Sequence, residues 1–231
     1  MIISLTKSGS LDYAIEICKK TPFTQNFLFT KNANTPFSVK GQKITTYDHG
    51  YGSFLINTFL FLFKCPFLLK RYKKDEQISH LYFTVFHPWN LIISFWAKRY
   101  RLKTILTVHD YKTHLGERSL LVEIIQKLNI RRADHVIFLS EAERQKAIPD
   151  IEILSVKSSV IGHPLLPVSK VNLVNHSDNL KVLFLGRIKE YKGIIDLIDV
   201  CSKLKMELTI AGEGQCPSIV SGEEIHLINK Y

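Results

Sequence analysis

The stretch "LFLGRIKEYKGIIDL", residues 183–197, decides how the chain is read. An apolar run ends at Gly186, Arg187 and Lys192 follow, and Gly193 opens a second apolar pattern with helical spacing. Strand, glycine loop and helix make up the β-α unit of an open parallel sheet, and loops at the carboxyl ends of such strands are where these sheets hold ligands. The first turn of the helix supplies N–H groups with no intrahelical partner and the positive end of its dipole. Two cations beside it therefore suit a phosphate or diphosphate. The alternative is that both are solvated loop charges. The loop is not a Walker loop, and nowhere does the chain carry a full G-x-G-x-x-G for a dinucleotide.

Outward from this stretch the β-α alternation covers the chain. Upstream, strands are predicted at residues 2–5, 26–30, 43–47, 80–86, 104–108, 135–139 and 158–162, most of them followed by a helical pattern. "LDYAIEICKK" places Leu11, Ile15 and the stem of Lys19 on one face; "SLLVEIIQKLNIRRA" predicts a core face of Leu121, Ile124, Ile125 and Leu128. Ser140 with Glu143 reads as a capping box that starts a helix directly after a strand. Residues 164–179 are rich in proline, serine and asparagine and lose periodicity. The boundaries predicted are a first domain over 1–165, a linker over 166–179 and a second domain over 180–231. In the second, strands are predicted at 181–185, 207–212 and 225–229, with a helix over 193–205. "AGEG" adds a glycine pair, Gly212 and Gly214, after the middle strand; alone, such a pair is more often just a turn.

The 231 residues carry a formal net charge of +10. Residues 1–168 hold 23 Lys and Arg against 13 Asp and Glu, whereas residues 169–231 hold 8 against 8. The excess thus belongs to the first part and suits an anionic partner there. Cys18, Cys65, Cys201 and Cys216 form no C-x-x-C pair, which argues against a zinc site or a disulfide framework and for reduced cytosolic thiols. The N-terminus lacks a basic region followed by an apolar one, so secretion is not indicated.

Taken together, "VLFLGRIKEYKGIIDLI…LTIAGEG" resembles the start of the nucleotide-binding domain of family-4-type retaining glycosyltransferases of the GT-B fold. "TVHDYKTHLGE", "ADHVIFLSEAERQ" and "VIGHPL" resemble parts of their acceptor-binding domain. The likeness covers about residues 80–231; residues 1–79 match in β-α pattern alone. The resemblance implies an α/β protein of two Rossmann-like parallel-sheet domains, the second incomplete. It implies that Arg187 and Lys192 bind the donor diphosphate and that His109 contacts the transferred sugar, with Asp110 beside it in the catalytic set. Gly9, in "TKSGS", is the candidate for the glycine loop that approaches donor and acceptor. His87 in "VFHPWN", Gly212 and Gly214 complete the candidate substrate contacts, with Trp89 available for stacking on a sugar and a packed turn as the other reading of His87. Asp110 either fixes the imidazole or caps the next segment.

The chemistry fits these residue types. Cleaving the bond between an anomeric carbon and a nucleotide diphosphate builds negative charge on the departing phosphate, and fixed cations can stabilise it. The resemblance implies that this is done with no metal and no cofactor. The implied partners are a UDP- or GDP-sugar and a saccharide or lipid-linked acceptor in surface polysaccharide assembly.

"FLINTFLFLFKCPFLLKRYKK", residues 54–74, is the most apolar stretch, interrupted by Lys64 and Pro66 and followed by a basic cluster. It reads as too short and broken for the roughly 20 apolar residues of a membrane span. Two readings stand: an interfacial helix against anionic lipid, which would place the chain in the cytoplasm and peripherally on the inner face of the membrane, or a buried helix whose end lysines solvate. Nucleic acid is not expected, because no binding module for it accompanies the charge.

Only 52 residues follow Asn179, and the family's two glutamates separated by seven residues have no counterpart, since Glu223 and Glu224 are adjacent. The sequence therefore leads one to expect a truncated gene product or fragment. Two further readings are a non-catalytic membrane or acceptor-binding module and an unrelated phospholigand-binding α/β protein.

Overall fold

The computed structural model describes residues 1–5, 13–17, 27–30, 42–44, 46, 50–112, 119–163, 181–214 and 225–228. Gly9, Leu11, Lys19, Cys18, Cys216, the linker over 166–179 and the Glu223–Glu224 pair lie outside them. The described residues of Met1–Pro167 form one compact unit and those of Val168–Tyr231 another.

The first unit is built on seven strands, β1 (Ile2–Ser4), β2 (Phe27–Thr30), β3 (Gln42–Ile44), β4 (His80–Phe83), β5 (Lys103–Val108), β6 (His135–Phe138) and β7 (Ser158–Val160). They pair in the order β3-β2-β1-β4-β5-β6-β7, every described pair parallel. This is a doubly wound sheet whose winding reverses between β1 and β4, the switch point at whose carboxyl edge such sheets bind ligands. Its helices are a segment over 13–17, α1 (Tyr51–Asp75), α2 (Trp89–Arg99), α3 (Leu120–Arg132), α4 (Glu141–Ala147) and α5 (Leu154–Lys157). Alternate strand residues such as Ile3, Leu81, Phe83, Leu106, Val136 and Phe138 make one buried cluster with Phe61, Cys65 and Leu69 of α1 and Ile93 and Ala97 of α2. Each large side chain so buried contributes about 1.5–3 kcal/mol.

Three elements differ from expectation. The apolar stretch expected to be too short and broken for a membrane span is one continuous helix of 25 residues, α1, with Pro66 inside it. Proline forfeits a single i→i−4 bond, and packing of Phe61, Cys65 and Leu69 on the sheet offsets that loss. By length and composition α1 could cross a membrane: its most apolar window has a mean hydropathy of 1.6. Second, α3 buries Gln126, Asn129 and Ile130, while Leu121, Ile124 and Leu128 of the expected core face are exposed. The buried amides are bonded, Gln126 Nε2 to the Asp110 carbonyl at 2.8 Å and Asn129 Nδ2 to the Ile125 carbonyl at 2.9 Å, which removes the penalty for burying them. Third, the capping box is half made. Ser140 Oγ accepts from the Glu143 N–H at 3.3 Å, but the Glu143 carboxylate accepts from the Tyr111 N–H at 2.7 Å, in the loop after β5.

The second unit is a parallel sheet in the order β10-β9-β8, from β8 (Lys181–Leu185), β9 (Glu207–Ala211) and β10 (Ile225–Ile228). Helix α6 (Ile194–Lys203) packs on it through Ile194, Ile198 and Cys201, at the spacing of one helical face.

Candidate functional site

In the second unit the hydrogen-bond ladder of β8 and β9 runs on past both strands. The Gly186 N–H donates to the Ala211 carbonyl at 2.9 Å and the Ile188 N–H to the Glu213 carbonyl at 2.8 Å. The two loops touch backbone to backbone. A Cβ on Gly212 would lie 1.8 Å from the Gly186 oxygen, and one on Gly214 would lie 2.6 Å from the Ile188 oxygen. Gly212 and Gly214, candidates for substrate contact, thus have a packing reason to be glycine. Because Ile188 is anchored in the core, the preceding residue turns the other way, and Arg187 is exposed at the carboxyl edge of the sheet. Lys192 closes a 3-10 turn over Glu190–Lys192, its N–H donating to the Lys189 carbonyl at 3.0 Å. Its exposed ammonium sits 5.9 Å from the Tyr191 ring centroid, immediately before α6. Both cations therefore stand on the loop between β8 and the amino end of α6, a place suited to an anion.

In the first unit His109 follows β5, the neighbour of β4 at the switch point. Its Nε2 lies 2.9 Å from the Thr84 carbonyl oxygen, which can only accept, so Nε2 carries the proton and Nδ1 of the neutral ring is an acceptor. Burial pulls the imidazole below its ordinary pKa, against the Thr84 bond, which raises it; His163 adds to the lowering and Asp110 opposes it. Tyr13 meets the His109 ring edge-on at 5.2 Å and the His163 ring at 5.4 Å, with the two imidazoles 6.4 Å apart. Beneath them runs a hydroxyl chain: Tyr13 to Tyr82 at 2.9 Å, and Tyr82 to Thr107 Oγ1 at 2.6 Å. The loop after His109 is held at three points, by Gln126 on the Asp110 carbonyl, by Glu143 on the Tyr111 N–H, and by Asp150, which accepts the Tyr111 hydroxyl at 2.8 Å. The two residues that follow His109 are thereby anchored.

The remaining candidates separate. The Asp110 side chain is exposed, and His109 Nε2 is oriented by Thr84, so Asp110 reaches the imidazole through its charge. His87 sits in a packed turn: its Nδ1 accepts the Trp89 N–H at 3.1 Å, its ring meets Phe54 at 6.2 Å, and burial brings it down to about 4. Trp89 cannot stack on a sugar. Its indole is 1% exposed, lies on Phe61 at 4.2 Å and donates to Thr58 at 2.7 Å. Gly9 is outside the described residues. Among the described residues no group of three or more His, Cys, Asp or Glu side chains could hold a metal ion.

No family model matches the chain, and no curated protein matches it in sequence. Solved structures do match it. The UDP-GlcNAc 2-epimerase of Methanocaldococcus jannaschii superposes with a TM-score of 0.62 at 13% identity, over 100% of this chain and 72% of that one. Anabaena Alr3699/HepE in complex with UDP and glucose gives 0.65 at 14%, over 99% and 68%, and Acinetobacter baumannii MurG gives 0.55 at 10%, over 100% and 65%. The fold is of the GT-B type.

The GT-B likeness is one of fold, and the residues above stand on this chain's own geometry. Sequence reasoning had not singled out His163 or Tyr13. His163 follows the last strand of its sheet, as His109 follows β5, and a histidine at a strand exit was the available signal.

Proposed function

We propose that this chain is a sugar-nucleotide-dependent glycosyltransferase of the retaining, family-4 type, moving a hexose from a UDP- or GDP-sugar to a saccharide or lipid-linked acceptor in surface polysaccharide assembly at the cytoplasmic side of the cell membrane. The observation that carries this reading is the loop from Gly186 to Lys192, locked by Gly212 and Gly214, which presents two cations before the amino end of α6. Similar structures in complex with UDP and with UDP-GlcNAc support a nucleotide-sugar ligand. Arg187 and Lys192 take the diphosphate and stabilise the charge on the departing phosphate. Nδ1 of neutral His109 accepts a sugar hydroxyl, and Asp110 influences that ring electrostatically.

Transfer of radiolabelled sugar from UDP- and GDP-sugars to saccharide and lipid-linked acceptors tests the reading. Arg187→Ala and Lys192→Ala should each slow transfer by about 10²–10³-fold. Undiminished transfer or unchanged UDP affinity in both variants would refute the assignment of the diphosphate, and an absence of transfer with intact UDP binding would favour a non-catalytic binding module. A second reading, rearrangement of the sugar while it stays on the nucleotide, is favoured by the 2-epimerases among the similar structures. It predicts turnover of UDP-GlcNAc without any acceptor, followed by proton NMR of the sugar ring.

A further inference from the structure

The outer face of α1 is not explained by sugar transfer. Leu55, Phe59, Phe63 and Phe67, each four residues from the last, form a single ridge, and they are 68%, 61%, 60% and 75% exposed. The opposite face, through Phe61, Cys65 and Leu69, is fully committed to the sheet. From Leu55 to Phe67 the ridge is about 18 Å long at 1.5 Å per residue, a large apolar surface to leave in water. Beside it a groove of about 740 Å³, lined by Leu60, Phe63, Phe67 and Leu68, carries Lys64 and Arg71 at its rim.

The charge at the end of the ridge identifies the partner. Past Phe67 the exposed positions of α1 turn basic, with Lys70, Arg71 and Lys74. Helix α2 runs alongside in the same direction, since Trp89 at its start stacks on Phe61 while Lys73 Nζ donates to the Tyr100 carbonyl past its end at 2.6 Å. Lys98 and Arg99, exposed in the last turn of α2, therefore join the same cluster. Two acidic side chains stand at this end, Asp75, which pairs with Arg71 at 3.7 Å, and Glu76 at the helix cap, and the basic ones outnumber them. A second copy of this chain would bring an equally basic cluster, whereas a bilayer with anionic headgroups offers hydrocarbon for the ridge and negative charge for its end.

We propose that α1 seats the protein on an anionic lipid bilayer, the aromatic ridge entering the headgroup–acyl boundary and the joint basic end of α1 and α2 lying on the headgroups. The seat does not depend on the chemistry proposed above and survives its failure.

Co-sedimentation of the full chain with phosphatidylcholine vesicles, with and without phosphatidylglycerol, tests this. The wild type should pellet with the phosphatidylglycerol vesicles and much less with phosphatidylcholine alone. Phe63→Ser/Phe67→Ser and Lys70→Glu/Arg71→Glu/Lys74→Glu change exposed side chains and so should keep the wild-type circular dichroism melt. Each should partition about 100-fold or more weakly. Equal binding by the variants, or no binding by the wild type to anionic vesicles, overturns the proposal. So does light scattering that shows a dimer abolished by Phe63→Ser/Phe67→Ser with no vesicle binding, since the ridge would then be a contact between two copies.

Discussion

Gly212→Ala is the sharpest probe of the candidate donor loop, because the obstruction is backbone and cannot rotate away. The new methyl would sit 1.8 Å from the Gly186 oxygen, and contact becomes ordinary only at 3.4 Å, so the loops after β8 and β9 must part by ~1.6 Å. That opens the bond from the Gly186 N–H to the Ala211 carbonyl, now 2.9 Å. A backbone bond lost from a covered position costs about 1–3 kcal/mol and the overpacking about as much again, giving a total of about 2–6 kcal/mol. Among the described residues the second unit's buried cluster contains six, so a loss of that size reaches the whole unit. Hydrogen exchange read by mass spectrometry should show faster exchange across residues 181–192, and calorimetry should show UDP affinity falling alongside it. Gly162→Ala, which meets nothing within 4 Å, should be neutral in both. Should Gly212→Ala exchange and bind like the wild type, the close approach of the two loops is refuted and with it the account of how Arg187 is held.

Two stability predictions concern the first unit. His87 has an ordinary pKa of 6.5 and is brought to about 4 by burial, so the neutral ring stabilises the fold fully above pH 6.5, and this contribution is lost as pH falls from 6.5 to 4, by about 3 kcal/mol in all. Urea unfolding across that range should show the acid limb, and His87→Asn, whose Oδ1 can still accept the Trp89 N–H, should flatten it; an unchanged limb would exclude His87 as its source. Lys157 Nζ donates to the carbonyls of Ile130, Arg131 and Ala133 at 3.0, 2.9 and 2.8 Å, closing the end of α3. Lys157→Met should cost about 1–3 kcal/mol in urea unfolding, and a cost near zero would mean that water replaces the lysine.

The strands of both sheets were legible because the strands of a parallel sheet read as short apolar runs, and β8 lies at the predicted residues 181–185 although Leu183 and Leu185 on its outer face are exposed. Helix α1 was misjudged at Lys64 and Pro66. Lys64 lies on the exposed side, and a single proline does not end a helix that tertiary packing holds. The face of α3 was misread because its aliphatic spacing is genuinely helical; the buried Gln126 answers to a carbonyl sixteen residues away, at Asp110, and no local pattern shows that. The same holds for the site. Arg187 and Lys192 could be located from a strand, a glycine and a helix start, whereas the meeting of Gly186 with Gly212 and of Tyr13 with His109 and His163 depends on strands brought side by side by the fold.

The amide of Gln126 has a consequence for anyone redesigning this chain. A procedure that rewards greasier interiors would install leucine there. It would cut the tether on the Asp110 carbonyl that steadies the residue after His109, so that hardiness and function would part company at one residue.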